Sequence, residues 1–380
     1  MFQFRNGFFT LALVGAFASL AGAQESYEAL EDLGEALFFD TNLSANRTQA
    51  CATCHDPESG FADPRGMASI GDDGASFGDR NAPTLTYAAL TPEFGRNKDG
   101  LWHGGQFWEG RAARLEDQAG GPPLNPIEMG MKDEAAVVAR LKENELYVAS
   151  FGTLFSADTL DDPQAGYAAM TAALAAFERT GQFQTFDSKY DRYLRGEEKL
   201  TSEELLGETL FFSQQFTNCN LCHQLNERPG AEGETFSNYQ YFNIGVPKNP
   251  DLRALNGIKL DFLDEGLGAH PHVKGKEDGH RGKFKVPTLR NVAVTAPYMH
   301  NGVFEDLRTV VLFYNKYNSV SEARQINPET GQPFGPPPVP ETLAEVELTE
   351  GPALKDREID AIVAFLKTLT DRRYEHLLEE

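Results

Sequence analysis

Cys51-Ala52-Thr53-Cys54-His55 and Cys219-Asn220-Leu221-Cys222-His223 constrain this chain more than any other feature of it. Each is a Cys-x-x-Cys-His signature. The spacing lets two thiols form thioethers to the vinyl groups of one haem, while the adjoining histidine turns its imidazole onto the iron. The two copies use all four cysteines, so none remains for a disulfide. A thioredoxin-like dithiol needs no following histidine. Zinc needs four ligands, and the motifs supply six in an arrangement that common zinc modules do not use. The expected cofactors are therefore two covalently bound c-type haems, and the fold must wrap both.

Residues 1–23 read as a secretory signal: Arg5 in a short basic start, an apolar run from Phe8 to Leu20, and Ala21-Gly22-Ala23 as a small-x-small cleavage site. The run is too short to cross a bilayer, so the mature chain is expected to have no membrane span. Because c-type haems are attached outside the cytoplasm, signal and motifs agree, and in a bacterium they place the protein in the periplasm. With 57 acidic against 34 basic residues, the net charge is −23. Such a chain will not hold nucleic acid or an anionic membrane surface. The charge suits either steering of a basic partner protein or solubility alone.

The 380 residues are enough for two domains with separate cores. A faint internal repeat divides them. Leu33-Gly34-Glu35-Ala36-Leu37-Phe38-Phe39 precedes the first haem signature, and Leu206-Gly207-Glu208-Thr209-Leu210-Phe211-Phe212 precedes the second. Both carry apolar residues at helical spacing, and the second opens with a capping box, Thr201 and Glu204. Ala176-Phe177-Glu178-Arg179-Thr180 is echoed by Ala364-Phe365-Leu366-Lys367-Thr368, each closing a helical stretch. The fold expected is all-α: two tandem cytochrome c-like helical domains, 24–190 and 191–380, each wrapping one haem, with a junction near 185–200. Residues 56–130 and 224–300 are rich in Gly, Pro, Asn and Asp. Irregular segments of that length wrap a cofactor or build a site. A further insertion, 318–352, contains Gly335-Pro336-Pro337-Pro338-Val339-Pro340 and reads as an extended surface strap.

More motifs lie between these landmarks: Arg80-Asn81-Ala82-Pro83-Thr84, Phe107-Trp108-Glu109-Gly110-Arg111, Asp117-Gln118-Ala119 and Asn125-Pro126-Ile127-Glu128-Met129. The second half adds Phe284-Lys285-Val286-Pro287-Thr288-Leu289-Arg290-Asn291 and Thr295-Ala296-Pro297-Tyr298-Met299-His300. In this order around two haem signatures, the chain resembles the bacterial di-haem cytochrome c peroxidase family, including its MauG-like branch, from about Leu33 to Leu369. The resemblance implies peroxide binding at the N-terminal haem, held by His55, and electron transfer through the C-terminal haem, held by His223. It implies Glu128 as the group that moves a proton from the inner to the outer peroxide oxygen. Gln118 would hydrogen-bond nearby, Pro122 would line the pocket, and Trp108 would bridge the two irons. Without the family, Glu128 is one of 57 acidic residues and Trp108 a packed core indole. A carboxyl beside a haem in a partly apolar pocket should have a raised pKa. The resemblance also implies a calcium ion held by the Asn81 side chain and the Thr295 and Pro297 carbonyls, hard oxygen ligands of low charge. Arg290 is expected to pair with a haem propionate. His103 reads as polar surface.

Two departures from the ordinary family pattern bear on function. Ordinary members carry a loop histidine, after Ser-x-Gly and before Arg-Asn-Ala-Pro, that caps the N-terminal iron until the second haem is reduced. Here Ser69-Ile70-Gly71-Asp72-Asp73-Gly74 is followed by no histidine before Arg80, and aspartate is a poor haem ligand. The N-terminal haem is therefore expected to be open in the oxidised protein. Ordinary members also place a methionine in the helix after the Pro-Tyr-Phe/Met-His segment. This chain has Tyr314 there, as the MauG-like branch does, and Met299 reads as a packing residue. A phenolate stabilises ferric iron and lowers the potential that methionine would raise. Three functions follow. The first is a periplasmic peroxidase that reduces hydrogen peroxide to water with electrons from a small cytochrome c or cupredoxin. The alternative is a MauG-like oxidase that uses peroxide to oxidise Trp or Tyr residues of a partner protein. The third, a non-catalytic electron carrier, has no use for Glu128 and Gln118. The peroxidase is the shorter inference and stands first.

Overall fold

A computed structural model describes residues 26–273 and 278–379, so the expected signal at 1–23 lies outside the described residues. The segments with helical apolar spacing fold as helices, Leu30–Phe38 and Pro163–Glu178 in the first half, Ser202–Phe211 and Asp356–Lys367 in the second. Local chemistry explains where they start. Asp162 accepts from the Gln164 and Ala165 amides, with Pro163 at the first helical position. Thr201 and Glu204 satisfy each other's amides, at 2.7 and 3.2 Å. Strands among the described residues are confined to three two-residue antiparallel ladders. One pairs Tyr241 with Lys285 and Phe242 with Phe284.

Each half packs a core of its own. Leu33, Leu37 and Phe38 meet Ala173, Leu174 and Phe177 in the first. Leu210 and Phe211 meet Ile362 and Phe365 in the second, which also takes in Tyr190. The two cores repeat one another in detail. Phe38 and Phe177 ring centroids lie 5.3 Å apart, and those of Phe211 and Phe365 lie 5.2 Å apart. A Cβ placed on Gly34 would overlap the Ala173 carbonyl, and one on Gly207 would overlap the Ala361 carbonyl. Glycine is thus required where each helix pair crosses. Gly207→Ala is expected to force the second pair apart and destabilise the protein by about 1–3 kcal/mol, read as a lowered midpoint in chemical denaturation. A midpoint within error of the parent would show that the crossing tolerates a methyl group.

No helix among the described residues is long and apolar enough to cross a membrane. The insertion at 318–352 differs from the expected surface strap. Val339 and Leu348 are buried, and with Pro338 and Ala344 they wall a cavity in the second half. Their apolar side chains close over that cavity, a role the proline run conceals in the sequence.

Candidate functional site

A cavity of about 530 Å³ lies in the first half and one of about 270 Å³ in the second. Cys51, Cys54 and His55 line the former, and Cys219, Cys222 and His223 the latter. Each cysteine pair occupies a single helical turn, Cys51–Cys54 and Cys219–Cys222, with the histidine at its C-terminal end. His55 Nδ1 donates to the Phe61 carbonyl at 3.1 Å, and His223 Nδ1 to the Phe236 carbonyl at 2.9 Å. A carbonyl can only accept, so Nδ1 carries the proton and Nε2 keeps the lone pair that a metal takes. Desolvation lowers the His55 pKa and pushes His223 down to about 4, which keeps both imidazoles neutral. Desolvation also pushes Cys51 and Cys222 up to about 12, too high for dithiol redox catalysis. Among the described residues no three His, Cys, Asp or Glu side chains converge to hold a metal ion, so a zinc reading finds no ligand set. Paired thiols, an oriented imidazole and an enclosed space fit one covalent haem at each site.

Glu128, Gln118, Pro122 and Trp108 all line the first cavity. Glu128 sits on a tight turn closed by Met129 N–H to the Pro122 carbonyl at 3.2 Å and Gly130 N–H to the Asn125 carbonyl at 2.9 Å. Desolvation raises its carboxyl, opposed by Arg111 and Asn125 and assisted by Asp79. Behind the turn runs the loop that lacks a histidine. Its Asp72 accepts from Asn46 and Thr48, and its Asp73 from Ala75 and Ser76, and neither lines the cavity.

Trp108 lines both cavities. Its indole N–H donates to the Asn81 carbonyl at 2.9 Å, and its own carbonyl accepts from Lys285 N–H at 2.8 Å. Around this shared wall stands a charge network that sequence reasoning missed. Arg80 pairs with Asp264 at 2.8 Å and with Glu109, and Asp264 and Lys285 line both cavities. Desolvation pushes Lys285 down to about 8, and its Nζ donates to the Gly105 carbonyl at 2.7 Å. The motifs around Arg80 and Lys285 marked these segments but gave no sign of Asp264, 184 residues from Arg80.

In the second cavity Tyr314, in the last turn of the helix Leu307–Asn315, shares the lining with His223. Desolvation raises its phenol, with the Cys222 and Cys219 thiols adding to the effect. Met299 lines the same cavity. Asn81 N–H donates to the His300 carbonyl at 2.9 Å, which sets Asn81 beside the segment carrying Thr295 and Pro297. The Asn81 side chain is 8% exposed and makes no hydrogen bond among the described residues, so its carboxamide oxygen is free for a hard cation.

Arg290 departs from expectation. It lines neither cavity. Its guanidinium is 1% exposed and grips Asp191 at 2.5 and 2.9 Å, while Nε donates to the Glu234 carbonyl at 2.8 Å. The planar fork is spent on a carboxylate, so Arg290 is a core ion pair and not the partner of a haem propionate. His103 lines neither cavity, and its Nδ1 lies 3.3 Å from the Gly95 carbonyl.

Residues 28–199 match the family described as di-haem cytochrome c peroxidase. The methylamine utilization protein MauG of Paracoccus denitrificans (strain Pd 1222) is 53% identical over 373 residues, covering 97% of this chain and 95% of that protein. The cytochrome c551 peroxidase of Nitrosomonas europaea is 31% identical over 344 residues, covering 90% and 80%. The crystal structure of the diheme peroxidase BthA from Burkholderia thailandensis E264 superposes with a TM-score of 0.80 at 31% identity, over 93% of this chain and 89% of that one.

Proposed function

From the premise that the chain belongs to the bacterial di-haem cytochrome c peroxidase family, in its MauG-like branch, we propose that it uses hydrogen peroxide at the first cavity to oxidise tryptophan or tyrosine residues of a partner protein. The observation that carries this reading is Tyr314 in the wall of the second cavity beside His223. A phenol ligating a haem iron there would lower its potential and make that site a poor electron reservoir. The 53% identity to MauG, against 31% to the cytochrome c551 peroxidase, supports the same choice, and on it we put the oxidase ahead of the peroxidase that stands first on the sequence. Peroxide reduction with electrons from a basic cytochrome or cupredoxin is the second reading, favoured by the net charge of −23.

A haem in each cavity would be held by Cys51, Cys54 and His55 or by Cys219, Cys222 and His223, and would supply the redox chemistry. Side chains do the rest. Glu128 accepts the proton of the inner peroxide oxygen and returns it to the outer oxygen, which leaves as water. Gln118 donates a hydrogen bond beside it, and Pro122 narrows the pocket. Trp108 passes electrons through the wall that both cavities share. The loop at 69–78 offers no histidine and keeps both its carboxylates off the cavity wall, Asp72 on Asn46 and Thr48 and Asp73 on Ala75 and Ser76, which would leave the first site open in the oxidised protein. A calcium ion at Asn81, Thr295 and Pro297 would brace the peptide that holds the Trp108 indole. The two halves, 24–190 and 191–380, act as duplicated units, exported to the periplasm.

Low-temperature electron paramagnetic resonance of the ferric protein tests the assignment. One high-spin signal is expected, with a low-spin signal that Tyr314→Met alters while the second site's midpoint potential rises. Two low-spin signals that ignore Tyr314→Met would remove both the tyrosine ligand and the open site.

A further inference from the structure

We propose that Asp72 is a positioning residue for Glu128, clamping the loop at 69–78 between the chain entering the first haem-attachment turn and the turn that carries the acid. This deepens the functional reading above and rests on Glu128 being its proton carrier.

The clamp is built from donors converging on one carboxylate. Asp72 Oδ2 accepts from Asn46 N–H at 2.5 Å, and Oδ1 accepts from Thr48 Oγ1 at 2.6 Å and Thr48 N–H at 3.3 Å. Asn46 Nδ2 returns a bond to the Asp72 carbonyl at 3.1 Å. The residue is 6% exposed, and these donors hold its carboxyl below the usual range despite the opposing effect of burial. Closing the loop does not require any of this. Asp73 and the loop's own backbone do that: Asp73 accepts from Ala75 N–H, Ser76 N–H and Ser76 Oγ at 2.7–2.9 Å, and Gly71 N–H and Gly78 N–H donate to the Ser76 and Ser69 carbonyls at 2.8 and 2.9 Å. Two adjacent aspartates thus divide the work, one shaping the loop and the other fastening it elsewhere.

What it is fastened to is the backbone of Glu128. Asp72 N–H donates to the Glu128 carbonyl at 2.7 Å, and Ala45 N–H donates to the Met129 carbonyl at 2.8 Å. Two successive carbonyls of the acid-bearing turn therefore bond to the two segments that the Asp72 carboxylate joins. The loop lies directly on that turn: a Cβ on Gly71 would stand 2.8 Å from the Ile127 carbonyl oxygen. Gln49, which lines the first cavity, donates to the Ile70 carbonyl at 2.6 Å. Haem-attachment segment, loop and acid turn form one bonded unit, with Asp72 at its centre.

The test uses the full-length, haem-loaded protein. Asp72→Asn keeps the shape but sets an NH2 group against amide donors, and Thr48→Val removes one donor should the first variant fail to fold. Hydrogen exchange is read at residues 69–73 and 126–130, alongside the rate of reaction with peroxide and the fluoride affinity of the ferric first haem. Exchange in both segments is expected to rise by about tenfold or more. The peroxide rate should fall by about tenfold, consistent with a proton carrier displaced by a fraction of an ångström. Fluoride should bind more weakly, as it should in Glu128→Gln. Combined with Glu128→Gln, Asp72→Asn should add no further loss of rate or fluoride affinity. If Glu128→Gln slows the reaction but Asp72→Asn leaves rate and fluoride affinity unchanged, or multiplies the loss in the double variant, the clamp does not act through Glu128. Normal kinetics in Glu128→Gln would instead overturn the functional reading, whatever the exchange data show.

Discussion

Glu128→Gln is expected to slow the reaction of the oxidised protein with hydrogen peroxide by about 10²–10³-fold, leaving haem attachment and the spectrum of the second site intact. The size follows from the chemistry. Cleaving the O–O bond heterolytically requires a proton to move from one oxygen to the other, and Glu128 is a carboxyl on the first cavity's wall, with Gln118 and Pro122, whose desolvation raises its affinity for that proton. The ionised form accepts the proton, so the parent's rate should fall as pH drops through the raised pKa. In Glu128→Gln that limb of the profile should vanish, because the amide does not titrate. Stopped-flow rates across the acid and neutral range measure both effects. A variant with the parent's rate and pH profile would leave the proton to a bound water and remove Glu128 from the mechanism.

Asp191→Ala is expected to cost about 3–5 kcal/mol of stability, because it strands a buried guanidinium. Arg290 and Asp191 are 1% and 4% exposed, and the cation is ringed by Phe186 and Phe236 at 4.9 and 5.3 Å. Water has little access there, and Asp371, the other carboxylate that acts on the guanidinium, is already held by Tyr87 and Asn291. Arg290 also bonds the carbonyl of Glu234, two residues before the Phe236 carbonyl that orients His223. The damage should therefore reach the second haem site, as a broadened low-spin signal as well as a lower denaturation midpoint. Replacing both partners by apolar residues of similar volume should recover much of the loss. A cost below about 1 kcal/mol for Asp191→Ala would mean that the pair is effectively solvated.

Both haem signatures were legible because the chemistry is local: five consecutive residues fix two thiols and an imidazole. The helix pairs were legible through their apolar spacing and the Thr201–Glu204 cap, and the repeat showed which helices correspond. Glu128, Gln118 and Trp108 were reached through resemblance, and the fold does bring them to one cavity. Arg290 was misread because nothing near it in the sequence announces Asp191, 99 residues away. The wall formed by 318–352 was missed for a related reason. A proline-rich segment carries no periodicity, so its two buried apolar residues look like isolated surface hydrophobics. Long-range pairing and closure by irregular chain are properties of the folded state, and local pattern does not encode them.

The shared wall has a consequence for how such a protein is made. The first cavity borrows Tyr239, Lys285, Val286 and Pro287 from beyond the midpoint of the chain, and the second borrows Trp108 from before it. Neither pocket can be sealed by its own half. The nascent polypeptide presents Cys51 and Cys54 early, yet it lacks the residues that close the cavity around them until nearly 300 have been synthesised. A cofactor joined to Cys51 and Cys54 before then would sit on an open thread, and closure of the shared wall becomes a late assembly event. A message truncated anywhere before that point yields a product whose first cavity lacks part of its wall, and not one finished half.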